Sequence, residues 1–259
     1  MTFDAVSAKP LAGWRVLVPR GGPWGDSVAA DLRARGAAPI IAPMINFAPS
    51  ADTAGLLEAI RRLGEGRYDW LTVTSATTVD VLSSYGAVIP ASTRVAAVGE
   101  TTAAALAAAG YRADIVPSED NSARGLLGEW TTATAGAADL RVLTLRSEIA
   151  KPILTEGLKR LGHRVDSVVA YRTVGVPVAD SVVAAVRAGA ISAILVTSGS
   201  VAEQMQLQLS PIPEATLVAA IGPQTAKDAE RLGLRVDLIA AERSAASLIA
   251  ALVARAAPG

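Results

Sequence analysis

The chain lacks several residue types on which common catalytic sites depend. It has no cysteine, and its only histidine is His163. The absence of cysteine excludes disulfides, thiolate catalysis and cysteine metal sites. With a single histidine and no cysteine, we expect neither a transition-metal site nor a Ser-His-Asp triad. His163 follows a helical stretch in "LGHRV", and we expect it in a surface turn.

An excess of charge of either sign is also missing. Lysine and arginine number 24, and aspartate and glutamate also number 24. A chain with no net charge has no electrostatic footprint for nucleic acid. We therefore expect no nucleic-acid partner, and any anionic ligand must be bound by local groups such as helix N-termini or a few arginines.

Long apolar runs and nucleotide-binding motifs are absent as well. No apolar stretch approaches the roughly 18 residues that a membrane span needs, and "MTFDAVSAKPLAGW" has no apolar core typical of a secretory signal. Neither G-x-G-x-x-G nor G-x-x-x-x-G-K-[ST] occurs, and "RGGPWG" (20–25) has the wrong spacing. We expect a cytoplasmic protein with no membrane partner.

What the chain does contain is a regular alternation of short β-branched runs and alanine-rich helical stretches. Examples are "WRVLVP" (14–19), "YDWLTVTS" (68–75) and "SAILVTS" (192–198), each followed by a helical pattern. Such alternation predicts βαβ units and a mostly parallel sheet of the Rossmann or flavodoxin-like kind. A length of 259 residues is typical of about two domains.

The two halves of the chain repeat one another. Residues 95–117, "VAAVGETTAAALAAAGYRADIVP", match residues 218–240, "VAAIGPQTAKDAERLGLRVDLIA", without a gap. A second match, at a spacing of 126, aligns "RVLVPRG" (15–21) with "RVLTLRS" (141–147). The period is far longer than that of a solenoid, so the repeat predicts two similar α/β domains.

Two proline-flanked extended segments occupy equivalent places in these halves. If both cross between domains, the first domain is discontinuous and comprises residues 1–44 and 176–259. The second domain then comprises residues 50–168, with connecting strands at 45–49 and 169–175. The sequence thus predicts two similar parallel-sheet domains joined by a two-stranded connector.

Hydroxyl residues and glycines recur where strands pass into helices. The junctions contain Ser75, Ser198, the pair Gly99 and Thr102, and the pair Gly222 and Thr225. The hydroxyl groups at these junctions either cap the helices or, with the helix amides, bind anions. Ligands of open α/β sheets lie at these carboxyl ends of the strands. The doubling of the junctions favours a large ligand with several carboxylates.

Three further side chains are candidates for ligand contact. Arg20 and Arg146 end equivalent strands, where an arginine can bind a carboxylate with two hydrogen bonds or form a structural ion pair. Tyr171 lies in the second connector and either packs there or donates a proton, because a phenol keeps its proton at neutral pH.

With these residues assembled, the chain resembles the uroporphyrinogen-III synthase (HemD) family. The motifs that carry the resemblance run in the family's order over almost the whole chain. They are "VTSATTVDVL", "VAAVGETTAAALAAAG", "VLTLRSEIAKPILTEGLKRLGHRVDSVVAYRT", "ILVTSGSVAEQM" and "AAIGPQTAKDAERLGL".

The resemblance implies two α/β domains, an active site in the cleft and a reaction without cofactor or metal. The implied substrate is hydroxymethylbilane, a linear tetrapyrrole with eight carboxylates, which loses water and cyclises with its last ring inverted. By motif match, Tyr171 is the expected proton donor. Ser75, Ser198, Thr102 and Thr225 would bind carboxylates, and Gly99 and Gly222 would let the substrate approach. The partner is a small molecule, and we expect a monomer with a transient contact to the preceding pathway enzyme.

Three other classes of protein remain as alternatives. A non-catalytic tetrapyrrole-binding or regulatory relative would keep the fold without the chemistry. A two-lobed binding protein of the periplasmic type would need an export signal. A nucleotide-dependent enzyme would need the phosphate-binding motifs that are missing.

Overall fold

The computed structural model of the chain describes residues 9–257. Residues 1–8, which include most of the N-terminal segment that lacks the apolar core of a secretory signal, lie outside it, as do residues 258–259. Across the described residues, no helix combines the length and the apolar character that crossing a membrane requires.

Within the described range, strands and helices alternate over almost the whole length. The strands are β1 (Arg15–Val18), β2 (Ala38–Ile41), β3 (Ile45–Pro49), β4 (Trp70–Val73), β5 (Arg94–Ala97), β6 (Arg141–Ser147), β7 (Arg164–Gly175), β8 (Ala193–Val196), β9 (Leu217–Ala220) and β10 (Leu238–Ile239). The helices are α1 (Gly22–Ala34), α2 (Thr53–Gly64), α3 (Ala76–Ser84), α4 (Glu100–Ala108), α5 (Ala123–Ala133), α6 (Ile153–Arg160), α7 (Asp180–Arg187), α8 (Gly199–Leu209), α9 (Pro223–Arg231) and α10 (Ala245–Ala256).

The strands form two five-stranded sheets. One has the order β10-β9-β8-β1-β2, and the other has the order β3-β7-β6-β4-β5. Apart from β3, every neighbouring pair is parallel. The predicted fold class of two parallel α/β sheets is therefore confirmed.

The chain divides into two compact units. Unit 1 runs up to Asn46 and resumes at Val174, and unit 2 comprises Phe47–Thr173. These divisions fall inside β3 and β7, the strands that cover the predicted connecting segments.

Each sheet is buried on both faces, which explains the continuous apolar runs of its central strands. In unit 2, Leu71 and Leu143 belong to a core with α2, α3 and α4, whereas Trp70 and Val142 belong to a core with α5 and α6. Two equivalent cores enclose the sheet of unit 1. Alternate residues of one strand thus supply both cores, as the pleat of a strand requires.

One repeated contact accounts for part of the sequence repeat. In unit 2, the Asp114 carboxylate accepts a hydrogen bond from the Val95 amide at 2.8 Å. In unit 1, the Asp237 carboxylate accepts one from the Val218 amide, also at 2.8 Å. The two aspartates therefore fasten equivalent segments to the start of β5 and β9, which is a structural role.

The expectation for His163 is wrong. Its side chain is buried, with 7% exposure, and its Nε2 accepts a hydrogen bond from Trp130 Nε1 at 2.8 Å. Desolvation by burial lowers the pKa of His163, although the Coulombic effect of Asp139 opposes that shift. The turn after α6 does occur, but the imidazole folds inward because the indole N–H of Trp130 needs an acceptor.

Candidate active site

The predicted site residues lie at or just beyond the carboxyl ends of their strands. In unit 2, Ser75 follows β4, Gly99 follows β5, and Arg146 is next to last in β6. Tyr171 lies within β7, where it pairs with Ser147, the last residue of β6. In unit 1, Arg20 follows β1, Ser198 follows β8 and Gly222 follows β9. The strand order reverses between β4 and β6, and between β1 and β8. Such switch points are where open α/β sheets bind ligands.

Ser75 and Ser198 cap equivalent helices. Ser75 Oγ accepts a hydrogen bond from the Thr78 amide at 3.2 Å at the start of α3. Ser198 Oγ accepts one from the Val201 amide at 3.3 Å at the start of α8. Both serines therefore have the capping role, and any ligand contact would be additional to it.

Thr102 and Thr225 are not caps. The N-cap residues of α4 and α9 are Gly99 and Gly222, which supply no side-chain hydrogen bond to the helix. Thr102 and Thr225 lie inside the first turn and are buried. The capping alternative does not hold for the two threonines, because the glycine three residues earlier already has the extended backbone that an N-cap requires. The amides in their first turns consequently have no side-chain acceptor from the N-cap residue. Helix α9 has one amide fewer there, because its first residue, Pro223, has no N–H.

A polar side chain lies over each cap glycine. A Cβ atom on Gly99 would lie 3.1 Å from Asn121, and one on Gly222 would lie 3.9 Å from Arg243. Asn121 and Arg243 each directly precede the N-cap serine of the next helix, Ser122 or Ser244. The two units thus place different groups at equivalent positions, an amide in one and a guanidinium in the other.

Ser75 also contacts Tyr171. The two hydroxyl oxygens share a hydrogen bond at 3.0 Å, and Ser75 Oγ shares another, also at 3.0 Å, with Thr78 Oγ1. The Tyr171 side chain is only 7% exposed. The structure therefore brings together the predicted proton donor and one of the predicted carboxylate-binding residues.

A bulge in β7 directs the Tyr171 ring. The pairing of β6 with β7 shifts by one residue between Arg146 and Ser147, so that Arg146 pairs with Val169 and Ser147 with Tyr171. Ala170 and Tyr171 consequently both belong to the core beneath α3. Consecutive residues of a regular strand point to opposite faces, so the extra residue is what brings the phenol to Ser75.

The Tyr171 ring also forms one wall of a pocket of about 330 Å³ in unit 2. The Phe47 ring meets it edge to face, with ring centroids 5.2 Å apart. The other walls come from α3 and Tyr85, and include Asp80. The phenol thus lies between a hydrogen-bonded serine and a largely apolar recess.

The two candidate arginines have contacts within their own unit. The Arg20 guanidinium lies over the Trp24 ring, 5.0 Å from its centroid. Arg146 donates to Ser167 Oγ at 3.1 Å and to the carbonyl oxygens of Ser147 and Glu148 at 3.0 and 3.2 Å. These contacts hold Arg146 against the end of β6 and neighbouring groups. The roles of both arginines in ligand binding remain predictions.

The repeat does not duplicate the phenol. At the spacing of 126, the residue equivalent to Tyr171 is Ile45, which packs against the core of unit 1 that contains Val201. Ser198 therefore has the same cap geometry as Ser75, but the position of its would-be phenol partner carries an aliphatic side chain.

Sequence reasoning missed Phe47, Thr78 and Asp80. A helical signal was present for the last of these, because Thr77, Asp80, Val81 and Ser84 have the spacing of one helix face and line the pocket together. Phe47 had no such signal, since its contact with Tyr171 joins residues 124 positions apart in the chain.

Over the part of the chain that the structure describes, no group of three His, Cys, Asp or Glu side chains is suited to a metal ion.

Solved structures share this fold. A mutant uroporphyrinogen III synthase from Thermus thermophilus matches with a TM-score of 0.63 and 19% identity, covering 94% of this chain and 98% of that one. Uroporphyrinogen-III synthetase from Helicobacter pylori 26695 matches with a TM-score of 0.64 and 17% identity, covering 93% and 99%. At these identities the likeness shows the fold alone.

Sequence comparison gives the family. A protein named uroporphyrinogen-III synthase from Synechococcus elongatus is 29% identical over 264 residues, covering 95% of this chain and 97% of the relative. The family model described as uroporphyrinogen-III synthase HemD matches residues 26–250. The match extends over most of both units, and the chain belongs to the uroporphyrinogen-III synthase HemD family.

Proposed function

We propose that this protein is a lyase that converts hydroxymethylbilane to uroporphyrinogen III, with loss of water and inversion of the last pyrrole ring, in tetrapyrrole biosynthesis. The observation that carries the proposal, beyond family membership, is the buried Tyr171 phenol. It is hydrogen-bonded to Ser75 at 3.0 Å and forms the wall of a pocket at the carboxyl edge of a parallel sheet.

The reaction begins with the loss of the substrate's hydroxyl group. Hydroxide is a poor leaving group, and a positioned acid that protonates it contributes about 10²- to 10⁴-fold to the rate. Tyr171 donates its proton to the departing oxygen, which leaves as water. The phenolate takes back a proton when the new ring junction loses one, so the enzyme is regenerated and the net change is the loss of one water.

The number of hydrogen bonds that Ser75 can donate and accept determines whether the Tyr171 hydroxyl is left free to donate its proton. A hydroxyl group has one donor and two acceptor sites. Ser75 Oγ accepts from the Thr78 amide, and its second acceptor site can take the Thr78 hydroxyl proton. Ser75 can then donate to the phenol oxygen of Tyr171. In this arrangement the Tyr171 proton is free to reach the substrate, and the positive N-terminus of α3 stabilises the phenolate through Ser75.

Substrate carboxylates are bound at the other helix starts. The Gly99 cap leaves the first amides of α4 without a side-chain acceptor from the cap position. The Gly222 cap does the same for the Gln224 and Thr225 amides of α9, since Pro223 has no N–H. Such amides bind carboxylates. Ser198, Thr102 and Thr225 contribute at the same edges, and Arg20 and Arg146 are further candidates. Since uncatalysed closure gives the uninverted isomer, holding one folded conformer of the substrate supplies the rest of the catalysis.

The relatives favour catalysis over the non-catalytic alternative. The matching relative from Synechococcus elongatus is named a synthase, and the hydrogen bond of Tyr171 to Ser75 beside a pocket supports a role in acid catalysis. In a protein of the same fold that only binds its ligand, no proton donor is required beside the pocket.

The function is tested by generating hydroxymethylbilane in situ, adding the protein, oxidising the products and separating the isomers by chromatography. We expect predominantly the type III isomer from the wild-type protein, and about 100-fold slower formation of it by folded Tyr171→Phe. Type I product alone from folded wild-type protein would overturn the proposal. Wild-type turnover by Tyr171→Phe would overturn only the role of the phenol.

We further propose that the protein acts as a monomer in the cytoplasm, binds no nucleic acid and receives its substrate through a transient contact with the preceding pathway enzyme. Light scattering after gel filtration tests the monomer, and fractionation of cells tests the location. Electrophoretic mobility of labelled DNA and RNA tests the lack of nucleic-acid binding. Channelling of substrate in a mixture of the two enzymes tests the contact.

A further inference from the structure

The pocket beside Tyr171 has an unusual balance of groups. Aromatic rings border it, from Phe47 and Tyr85 as well as Tyr171, and apolar atoms of β3 and α3 complete most of the wall. Of the described side chains that line it, only Asp80 carries a formal charge. Arg172 donates to the carbonyl oxygen of Pro49 at 3.0 Å, but its side chain is not part of the lining.

Asp80 is not engaged elsewhere within the part of the chain that the structure describes, where it forms neither a hydrogen bond nor an ion pair. It lies in α3, one helical turn after Thr77 and one before Ser84, and all three face the pocket. Its carboxylate is therefore available to a ligand that enters the recess.

The charge and the aromatic character of this lining determine which group of the substrate can bind in the pocket. A carboxylate arm would meet the negative charge of Asp80 and the electron-rich faces of aromatic rings, both of which repel an anion. A cationic group would be attracted by the same features. The pocket therefore suits a group that is neutral on arrival and becomes positive during the reaction.

Loss of water from hydroxymethylbilane produces such a group. When the carbon–oxygen bond of the hydroxymethyl group breaks, Tyr171 supplies a proton to the leaving oxygen. The lone pair of the pyrrole nitrogen moves into the ring, and a π electron pair of the ring forms a double bond to the former hydroxymethyl carbon. The positive charge is then shared between that carbon and the pyrrole N–H, which becomes a strong hydrogen-bond donor.

We propose that Asp80 binds the pyrrole N–H of the hydroxymethyl-bearing ring and stabilises the cation formed when water leaves. The proposal rests on the proposed function and adds a second residue to the chemistry of Tyr171. Asp80 acts on charge that develops only in the transition state, so it raises the rate of the chemical step more than the affinity for substrate or product.

The repeat provides a matched control. Glu203 occupies the position in α8 that is equivalent to Asp80 at the spacing of 123. Both carboxylates are exposed on the fifth residue of a serine-capped helix. Glu203 does not line the pocket beside Tyr171. Neutralising it therefore changes the net charge of the protein equally without touching the proposed cation site.

The experiment compares Asp80→Asn, Asp80→Glu, Asp80→Ala and Glu203→Gln in the full chain. Each variant is checked by circular dichroism, and kcat and KM for type III formation are measured with hydroxymethylbilane. Inhibition by uroporphyrinogen III is measured as well, because the product carries no positive charge at the new bridge. We expect kcat to fall about tenfold or more in Asp80→Asn and Asp80→Ala, with product inhibition unchanged within about twofold.

Asp80→Glu should recover most of the activity because it restores the charge, and Glu203→Gln should match the wild type. Unchanged kcat in folded Asp80→Asn and Asp80→Ala would overturn the proposal while leaving the synthase function intact. A rise in KM and in the product inhibition constant with kcat unchanged would also overturn it, because it would indicate simple binding. Failure of the wild-type protein to form the type III isomer would instead reject the proposed function itself.

Discussion

At the scale of single residues, Ser75 combines a capping contact with a contact to the proposed proton donor, Tyr171. Its Oγ caps α3 through the Thr78 amide and also contacts the Tyr171 hydroxyl. Within the described residues, Ser198 makes only the capping contact, with the Val201 amide. The pair therefore allows the structural effect of losing a cap to be separated from the effect on chemistry.

We predict that Ser75→Ala and Ser198→Ala each lower the free energy of unfolding by about 1 kcal/mol, the usual cost of losing a serine cap. Only Ser75→Ala should also lower kcat markedly, by about tenfold, because the phenol loses the group that orients it. Urea denaturation and steady-state kinetics of both variants test this. Equal kcat values for the two variants would contradict the role of Ser75.

His163 predicts a pH dependence of stability. Burial lowers its pKa below the ordinary value of 6.5, so the folded protein binds this proton less readily than the unfolded chain does. Its contribution to stability is therefore complete above about pH 6.5 and is lost as the pH falls through that value toward the lower folded pKa. The Trp130 hydrogen bond has the same requirement, since a protonated Nε2 cannot accept it.

We expect the melting temperature of the wild-type protein to fall between pH 7 and pH 5.5, and the fall to be smaller in His163→Gln. Because His163 is the only histidine, no other imidazole contributes to that window. Calorimetry of both proteins over this range tests the prediction, and parallel curves for the two would refute it.

At the scale of secondary-structure elements, the starts of α4 and α9 differ from those of α3 and α8. Glycine caps leave backbone amides for a ligand, whereas serine caps use an amide internally. Gly222 has an extended backbone that any residue can adopt, and a Cβ there would meet only an ordinary contact with Arg243 at 3.9 Å. The glycine is thus not required by the fold.

Gly222→Ser should therefore fold normally, with its hydroxyl accepting the amide hydrogen bond that we assign to a substrate carboxylate. We expect KM to rise several-fold with little change in kcat, because a carboxylate contact far from the reacting bond is made equally in the ground and transition states. Gly222→Ala, which adds the Cβ without an acceptor, is the control and should raise KM less. A similar KM in both variants would show that the amides do not bind substrate.

The sequence predicted most elements because apolar runs and helical patterns alternate so regularly. The prediction was wrong at two places, the start of α1 and the segment 113–117. The stretch "GDSVAADLRARG" (25–36) indicates a helix that Asp26 or Ser27 caps, but α1 begins at Gly22. Pro23 in its first turn is the local signal of that earlier start. The stretch "ADIVP" (113–117) has the apolar character of a strand, but it forms only a single bridge, between Ala96 and Ile115.

The candidate site was predictable only in part, for a physical reason. Ser75, Gly99 and Gly222 could be placed at helix starts because capping is a local property of the chain. The bulge before Tyr171 and the contact of Phe47 with its ring depend on pairing between distant strands. Neither depends on a pattern within one segment, so periodicity could not reveal them.

At the scale of the whole molecule, the continuity of unit 2 makes the proposed domain division testable. Residues 45–175 contain all the strands of one sheet, β3 to β7, and the two cores that cover it. We therefore propose that this segment folds by itself. Expressed alone, it should unfold in a single cooperative transition, measured by circular dichroism in urea.

A fragment shortened to residues 50–168 is the comparison. It lacks β3 and the end of β7, including Tyr171 and Ala170 of the core beneath α3. We expect it to be less stable by several kcal/mol because of the lost burial. Non-cooperative unfolding of the longer fragment would argue against an independent domain.

Unit 1 has Ile45 at the position equivalent to Tyr171, and this difference affects which orientation of the substrate can react. A linear tetrapyrrole has two different termini, and only one of them carries the leaving hydroxyl. Two equal proton donors, one in each repeat, would serve a substrate bound in either orientation. With isoleucine in one copy and a phenol in the other, the proposed role of Tyr171 makes only one orientation productive. Divergence of the repeat thereby allows a protein with two similar halves to distinguish the two ends of its substrate.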